Sequence, residues 1–385
     1  MRGGAVYILG GLRTPIAQKN NKLKSVRPEQ LGAALISALR EKFPLEKIDG
    51  VLLGNAVGTG GNIARLTTLT AGLPETVPAL TVDVQCSSGA AALALAASQV
   101  AVGNGDCWLA GGIESASLQP LRVYDAKDER HALVPSGDGS YYTAQFAPGD
   151  LAPDTMLRGA ERTMQTERMT KAELDKWTLL SHQRAAAAQK DGVLQDIIVP
   201  IDGVSADDGI RPRMSQRLLD RLPLIFGAGT LLTAGNSCLI NDGAAIAVLV
   251  SEKWLAEHPE AQPQARLIGT RTAGGVPDES PRGAMRTADL LLADYGLRYE
   301  DMAAIEFNEA FGAIDVLFER AHGHLTERYN RLGGALAYGH PYGASGGILL
   351  LHLLKALQLA GGGKGILSIA GAGGMGQAIL VETVS

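Results

Sequence analysis

The chain has 385 residues, of which 46% are hydrophobic and 19% are charged, and its formal net charge at pH 7 is −5. This length allows two or three domains with a large core. The charge balance, with no dominant basic tract, argues against a nucleic-acid partner. The absence of an apolar run of about 18 residues argues against a membrane span.

The N-terminal apolar run is short and interrupted by glycine, which is not typical of a signal peptide. The three cysteines form no CxxC pair, and the histidines show no zinc-ligand spacing. The sequence therefore predicts a reduced, cytoplasmic protein without a metal site.

Residues 4 to 118 alternate short strand-like runs with helical runs. The strand-like runs are AVYILG, GVLLGN, LTVDVQ and DCWLAGG, and the helical runs are PEQLGAALISALREKF and AAALALAASQVAV. This alternation is typical of an α/β fold.

From about residue 119 the pattern changes, and residues 120 to 170 are rich in Pro, Gly, Asp and Tyr. Thr170 and Glu173 have capping-box spacing, which predicts a helix up to about Lys190 with Gly192 as its C-terminal cap. The α/β pattern returns near residue 243 and continues through ARLIGTRTA, AAIEFNEA, GGILLLHLLKALQL, GILSIAG and QAILVETV. We therefore expect an insertion of about 120 residues between two α/β regions.

Cys86 stands where a strand-like pattern changes to a helical one, in VDVQCSSGAAALALAASQV. The N-terminus of a helix stabilises a thiolate, and this position can lower the pKa of a thiol well below about 8.5. Free cysteines are also among the most buried residues, and Cys107 and Cys238 are interpreted in that way. The residues alone leave both interpretations of Cys86 open, a nucleophile or a core thiol.

His340 is a candidate base for such a nucleophile. It lies in the glycine-rich stretch YGHPYGASGG, where Pro341 excludes helical geometry for the preceding residue. The alternative is a loop histidine without a role. Asn308 follows the strand-like run IEF, and its alternative role is a helix cap.

Four motifs in this order resemble the thiolase family: CSSG, NEAF, GHPYGASGG and GAGGMG. RTP, GNIAR, AGGIESAS and TAGNSCLINDGAA add to the resemblance, which extends over nearly the whole chain.

The resemblance implies a thiolase fold, in which two similar α/β halves form a five-layer α-β-α-β-α core with an inserted loop domain. We assign residues 1–118 plus 240–265 to the N-terminal half, residues 119–239 to the loop domain and residues 266–385 to the C-terminal half. Family members are dimers or tetramers, so a homodimer or homotetramer is expected.

The resemblance also implies an acyltransferase of lipid or fatty-acid metabolism that acts on coenzyme A thioesters, without a bound cofactor. Cys86 corresponds to the nucleophile that takes the acyl group. His340 activates it and contributes to an oxyanion hole, in which Asn308 positions a water molecule. The backbone N–H groups of Cys86 and Ala372 form the second oxyanion hole.

One departure from the family concerns the chemistry directly. Thiolases usually carry a second cysteine, which acts as acid and base, where this chain has Ala370. Three alternatives follow: a decarboxylating condensing enzyme similar to ketoacyl synthases, another base such as His340 or Glu309, or an inactivated, non-catalytic homologue. Acyl transfer to Cys86 is expected in the first two cases.

Further departures concern the substrate pocket. Thr155 replaces the usual histidine before the retained Met156, and Cys238 replaces the serine that commonly touches the pantetheine arm. Leu239 replaces a glycine and is expected to reshape the pocket. The substrate-binding residues implied by the resemblance are Met156, Arg211, Ser237, Cys238 and Phe311.

Two weaker motifs fit other kinds of site but lack the residues that those sites need. GAGGMG also fits a dinucleotide fingerprint, but only nine residues follow Gly376. GASGG fits a hydrolase elbow around Ser345, but the one histidine after it, His352, is expected to lie in the core of a helix.

Overall fold

The computed structural model describes residues 4–58 and 60–384. The strands in chain order are β1 (Val6–Arg13), β2 (Ala17–Gln18), β3 (Gly50–Gly54), β4 (Ala79–Val82), β5 (Cys107–Ser115), β6 (Arg122–Val123), β7 (Ser140–Tyr141), β8 (Asn241–Ser251), β9 (Ala265–Ala273), β10 (Met302–Phe307), β11 (Lys364–Gly371) and β12 (Met375–Thr383). The helices are α1 (Pro28–Lys42), α2 (Ile63–Thr70), α3 (Ser88–Ala101), α4 (Arg130–Leu133), α5 (Thr155–Thr166), α6 (Lys171–Lys190), α7 (Gln216–Leu219), α8 (Glu252–Glu257), α9 (Gly283–Asp294), α10 (Gly312–His322), α11 (Ala335–Tyr338) and α12 (Ser345–Leu359). Across this described part of the chain, no helix has the length and apolar character needed to cross a membrane.

Two sets of strands join into one large sheet. Its order is β4-β3-β5-β8-β1 in the first set and β9-β12-β11-β10 in the second, with β2 paired to β8. β1 and β9 join the sets through antiparallel pairing, with Val6 opposite Leu267. In both sets an antiparallel pair is followed by a parallel one, β8-β5-β3 in the first and β12-β11-β10 in the second.

Three apolar cores separate the layers of the molecule. One core packs α1 and α2 on the first set of strands, and another packs α9 and α10 on the second set. The core between them contains α3 and α12, which contact each other and strands of both sets. The layers therefore run α-β-α-β-α, and the predicted fold class is confirmed.

Residues 119–239 contain short strands and the helices α4 to α7. Within this segment, α6 packs on α10 and α11 of the C-terminal half, and Trp177 of α6 contacts Tyr329 edge to face. The predicted start of α6 is confirmed, because Thr170 accepts a hydrogen bond from the N–H of Glu173 and its own N–H donates to the Glu173 carboxylate. The domain boundaries given above stay a prediction.

Candidate active site

Cys86 lies in the tight turn between β4 and α3. The strand ends at Val82, three residues earlier than its pattern predicts, and α3 begins at Ser88. Gln85 has a φ of 53°, a left-handed conformation that costs energy for a residue with a side chain. This strained residue lies directly before Cys86, which stands two residues before the start of α3.

The N-terminus of α3 meets the N-terminus of α12. A Cβ atom on Gly346 would lie 2.0 Å from the backbone nitrogen of Ala90, and one on Gly89 would lie 2.6 Å from the carbonyl oxygen of Gly343. Only glycine allows such close backbone contact. This contact brings the turn that carries Cys86 next to the loop that carries His340.

Burial raises the pKa of the Cys86 thiol to about 12. The backbone N–H groups of Cys86 and Ala372 oppose this effect by lowering the pKa, while the Glu114 carboxylate adds to it. The expectation that the helix end lowers the pKa is therefore wrong for the free protein, because desolvation outweighs the helix end. The thiol is protonated at neutral pH and needs a base. The same two N–H groups are the predicted donors of one oxyanion hole.

His340 is buried and held on both ring nitrogens. Its Nδ1 lies 2.5 Å from Ser345 Oγ, and that hydroxyl donates to the carbonyl oxygen of Pro341 at 3.0 Å. With the single hydroxyl proton assigned to that bond, Nδ1–H donates to Ser345 and Nε2 carries the lone pair. Burial lowers the pKa of His340 to about 3, so the imidazole is neutral and its Nε2 can accept a proton.

Asn308 contacts this unprotonated nitrogen. Its Nδ2 lies 3.3 Å from Nε2 of His340, and its backbone N–H donates to the carbonyl oxygen of Ser368 in β11. The helix-cap alternative is wrong, because α10 begins at Gly312 and the residue before it is Phe311. Ser345 and Asn308 hold the His340 ring in place, and its catalytic role stays a prediction.

Three predicted substrate-binding residues lie together near these groups. Ser237 pairs with Phe311 in a β-bridge, and the N–H of Cys238 donates to Ala310 at 3.0 Å. Burial and the neighbouring Cys86 thiol both raise the pKa of the Cys238 thiol. Cys107 is fully buried and fits the packing interpretation, whereas the side chain of Cys238 is of intermediate exposure.

Sequence reasoning missed Tyr342 and assigned no role to Ser345. The Tyr342 ring packs edge-on against His340 with centroids 4.8 Å apart. Its pKa is raised well above the usual value by burial and by the nearby thiols of Cys238 and Cys86. The signal for both residues was their place in the glycine-rich loop after His340.

Glu114 was missed as well, although it lies in the AGGIESAS motif. Its carboxylate accepts from the N–H of Gly343 at 2.8 Å and from the N–H of Ala56 at 2.9 Å. It therefore ties the His340 loop to the end of β3. Burial raises the pKa of Glu114 to about 7, against the effect of these backbone N–H groups.

Ala370 is buried in β11, opposite Gly376 of β12. Its methyl group faces Gly283 of α9, where a Cβ would lie 3.5 Å away. Glu309, one of the candidate replacement bases, uses Oε1 to accept from Asn330 and Oε2 to accept from Ser181 and Leu336. These bonds hold the loops around residues 330 and 336, so Glu309 is poorly suited to receive a substrate proton.

The remaining predicted contacts lie on the inserted segment. Met156 is in the first turn of α5, half-buried against the C-terminal core, and Arg211 is exposed with its N–H donating to Nδ1 of His182. Their assignment to CoA binding stays a prediction. In residues 4–58 and 60–384, no cluster of three or more His, Cys, Asp or Glu side chains is arranged to hold a metal ion.

The chain matches two family models that together extend over most of its length. Residues 6–253 match the thiolase N-terminal domain and residues 261–383 match the thiolase C-terminal domain.

Individual relatives agree with these matches. A protein of Bacillus subtilis (strain 168) that carries the name of an acetyl-CoA C-acetyltransferase is 34% identical over 382 residues, which cover 98% of this chain and 99% of that protein. The 3-oxoadipyl-CoA/3-oxo-5,6-dehydrosuberyl-CoA thiolase of Escherichia coli (strain K12) is 33% identical over 398 residues, covering 98% and 99%. The crystal structure of the Bacillus anthracis acetyl-CoA acetyltransferase superposes with a TM-score of 0.88 at 29% identity, covering all of both chains. The chain therefore belongs to the thiolase family and is an acyltransferase.

Proposed function

We propose that this protein transfers acyl groups between coenzyme A thioesters through a thioester formed on Cys86. The observation that carries the proposal is the meeting of α3 and α12, which joins the Cys86 turn to a neutral His340 whose unprotonated Nε2 can accept a proton. The names of the relatives, acetyl-CoA C-acetyltransferase and 3-oxoadipyl-CoA thiolase, support the same substrate class.

In the first step, Sγ of Cys86 attacks the thioester carbonyl and its proton passes to Nε2 of His340. The tetrahedral oxyanion accepts hydrogen bonds from the N–H groups of Cys86 and Ala372, which lie beside the thiol. Collapse of this intermediate breaks the bond to the CoA sulfur, and that sulfur takes the proton back from the imidazolium. Atoms and charges balance without a cofactor.

The second step makes or breaks a carbon–carbon bond. Condensation needs a group that takes a proton from the second acyl-CoA, and cleavage needs the same group to give a proton to the departing acyl-CoA carbanion. Ala370 cannot take this role, and both oxygens of Glu309 are engaged in loop contacts. We assign the role to His340, whose Nε2 is free again once the CoA thiol has left. Asn308, 3.3 Å from Nε2, would hold a water molecule in the oxyanion hole for the second thioester.

A second candidate function is decarboxylative condensation, as in ketoacyl synthases. Ala370 favours it, because loss of CO₂ supplies the carbanion without a base. Malonyl-CoA separates the candidates: release of CO₂ with a condensation product favours decarboxylation. Thiolysis of a 3-ketoacyl-CoA without a malonyl-CoA reaction contradicts it.

The first experiment is intact-mass analysis after incubation with acetoacetyl-CoA, with Cys86→Ser as the matched control. An acetyl adduct on Cys86 is the expected result, and it means that the carbon–carbon bond was cut without a cysteine at position 370. An intact acetoacetyl adduct means that Cys86 exchanges thioesters but bond cleavage is lost. No adduct with any acyl-CoA contradicts acyl transfer and favours a non-catalytic homologue.

For the substrate, we propose that Met156, Ser237, Cys238 and Phe311 line the acyl and pantetheine pocket. Arg211 belongs to an exposed arginine-rich stretch that also contains Arg213, Arg217 and Arg221. These guanidinium groups are suited to the CoA phosphates.

We further propose a homodimer or homotetramer in the cytoplasm, with a role in lipid metabolism. β4 is the last strand of the sheet on the nucleophile side, and Leu80 on it is 51% exposed. Leu66, Leu69 and Leu95 are exposed on the adjacent α2 and α3. An unpaired edge next to apolar side chains supports a subunit contact there, which light scattering would test.

A further inference from the structure

A small cavity lies behind the proposed catalytic groups. Its volume is about 20 Å³. One water molecule needs roughly 10–15 Å³ of such space and two to four polar partners. Residues from β10, α11 and α12 line this cavity, among them Glu306, Asn308, Ser345 and His352.

Two of these side chains are buried without a partner for their polar atoms among residues 4–58 and 60–384. Glu306 is fully buried, and neither of its carboxyl oxygens has a hydrogen-bond partner in this described part of the chain. His352 is 2% exposed, and its Nε2 lacks a partner among the same residues. Buried polar atoms are almost always hydrogen-bonded in folded proteins, so two such groups around one cavity point to a ligand inside it.

Burial disfavours the charged form of both groups. Burial raises the pKa of Glu306 well above its usual value, and the Glu309 carboxylate adds to this effect, while Arg184 opposes it. Burial and Arg13 lower the pKa of His352 to about 3, although the carboxylate of Asp207 opposes the shift. A neutral carboxylic acid offers an O–H donor and an acceptor, and a neutral imidazole offers one of each. A water molecule can satisfy both groups.

The cavity touches the two residues that hold His340. Asn308 contacts Nε2 of His340, Ser345 contacts Nδ1, and both residues line the cavity. The proposed mechanism does not use Glu306, His352 or this space.

We propose that the cavity binds one water molecule between Glu306 and His352, and that Glu306 is a positioning residue for His340. Through this water, Glu306 fixes the Asn308 amide and the Ser345 hydroxyl, and these two groups fix the position of the His340 ring. The proposal rests on the proposed role of His340 as the base for Cys86.

The first test is a crystal structure of the wild-type protein at a resolution that shows ordered water. The expected result is one water molecule within hydrogen-bond distance of the Glu306 carboxyl group and of Nε2 of His352. A dry cavity overturns the proposal. This measurement uses the wild-type protein, so it tests the proposal even if substitutions at position 306 prevent folding.

The second test compares Glu306→Gln with Glu306→Met. Glutamine keeps a neutral donor and acceptor, whereas methionine has a similar size and cannot bind the water. The readout is the rate and pH profile of Cys86 alkylation by iodoacetamide, with peptide mass spectrometry to separate Cys86 from the other two cysteines. This probe reports on the thiol and its base whatever the acyl-CoA substrate is.

Glu306→Gln is expected to react within about threefold of wild type, because it keeps the neutral hydrogen bonds. Glu306→Met is expected to react about tenfold more slowly and with a changed pH profile, because His340 is misplaced. A folded Glu306→Met protein with the wild-type rate and profile overturns the proposal, as does an equal loss in both variants. If no acyl-CoA acylates Cys86 but the two variants still differ in alkylation rate, the proposed acyl-transfer function is wrong and the positioning role of Glu306 still stands.

Discussion

In each half of the molecule, a helix of the middle layer begins beside the candidate site. In the N-terminal half, Cys86 lies two residues before α3. In the C-terminal half, His340 lies five residues before α12, in a loop whose N–H groups bond to Asn241 and Glu114 of the first half. The strand order is the same in both halves for four strands, and β4, which precedes the Cys86 turn, has no counterpart in the second set. The halves therefore differ in the segment that leads into the helix.

This difference divides the chemistry between the halves. A short turn with one strained residue presents the small thiol directly at the end of a helix. The longer glycine-rich loop has room for an imidazole and for Ser345, the hydroxyl that fixes its tautomer. A duplicated fold thus supplies two helix ends, and the residues just before them decide which is the nucleophile and which is the base.

The largest expected effect comes from removing His340, the proposed base for Cys86. His340→Gln is expected to slow acylation of Cys86 by about 10²–10⁴-fold, because a general base contributes that much. Quenched reactions read by intact mass measure the rate, with Cys86→Ser as the blank.

The pH dependence gives this prediction a second readout. With pKa values of about 3 for His340 and about 12 for Cys86, the neutral pair dominates between them, and wild-type acylation should be flat near neutral pH. In His340→Gln the thiol must ionise alone, so the rate should rise about tenfold per pH unit below pH 12. A flat profile in the variant would show that His340 is not the base.

Placing a cysteine at position 370 tests whether the missing acid/base group limits the carbon–carbon step. Ala370→Cys is expected to raise the rate of the carbon–carbon step by about 10²-fold, since it adds an acid/base group that can protonate the departing carbanion, while acylation of Cys86 by acetyl-CoA stays unchanged. Thiolysis of acetoacetyl-CoA measures the first quantity and intact mass the second. Ala370→Ser is the matched control for size. An unchanged thiolysis rate would mean that the chemistry of this chain needs no second acid/base group.

Separating the two helix ends should cost stability as well as activity. The Cβ of Gly346→Ala would lie 2.0 Å from the Ala90 nitrogen, so we expect a loss of about 2–3 kcal/mol in the free energy of unfolding. Gly323→Ala is the matched control, because its Cβ would meet only the Glu319 side chain, at 3.8 Å. Urea unfolding measures both. Equal stability of the two variants would contradict a close contact between α3 and α12.

Local signals in the sequence predicted much of this architecture. The strand pattern ARLIGTRTA coincides with β9, and the capping box at Thr170 marks the start of α6. These features depend on neighbours in the chain, so sequence reasoning reaches them. The four ordered motifs predicted the family, which the family models confirm.

Long-range contacts account for what was missed. The pKa of Cys86 was predicted from its helix end, but the layers packed around the thiol decide it. Glu114 and Glu306 were not assigned because their surroundings come from distant segments, Gly343 for the first and His352 for the second. Their burial and partners exist only after the two halves have packed together.

The smallest expected effect concerns Tyr342, whose ring packs on His340 and lies near the thiols of Cys86 and Cys238. Tyr342→Phe keeps the ring and should change kcat/KM by less than about threefold, since one hydroxyl is lost. Tyr342→Ala removes the ring and should favour longer acyl chains, by about tenfold or more when an eight-carbon 3-ketoacyl-CoA is compared with a four-carbon one. If both variants keep the wild-type ratio of kcat/KM for the two substrates, Tyr342 does not limit the acyl pocket. The specificity would then have to be sought at Leu239 and Cys238, in the segment that pairs with Ala310 and Phe311.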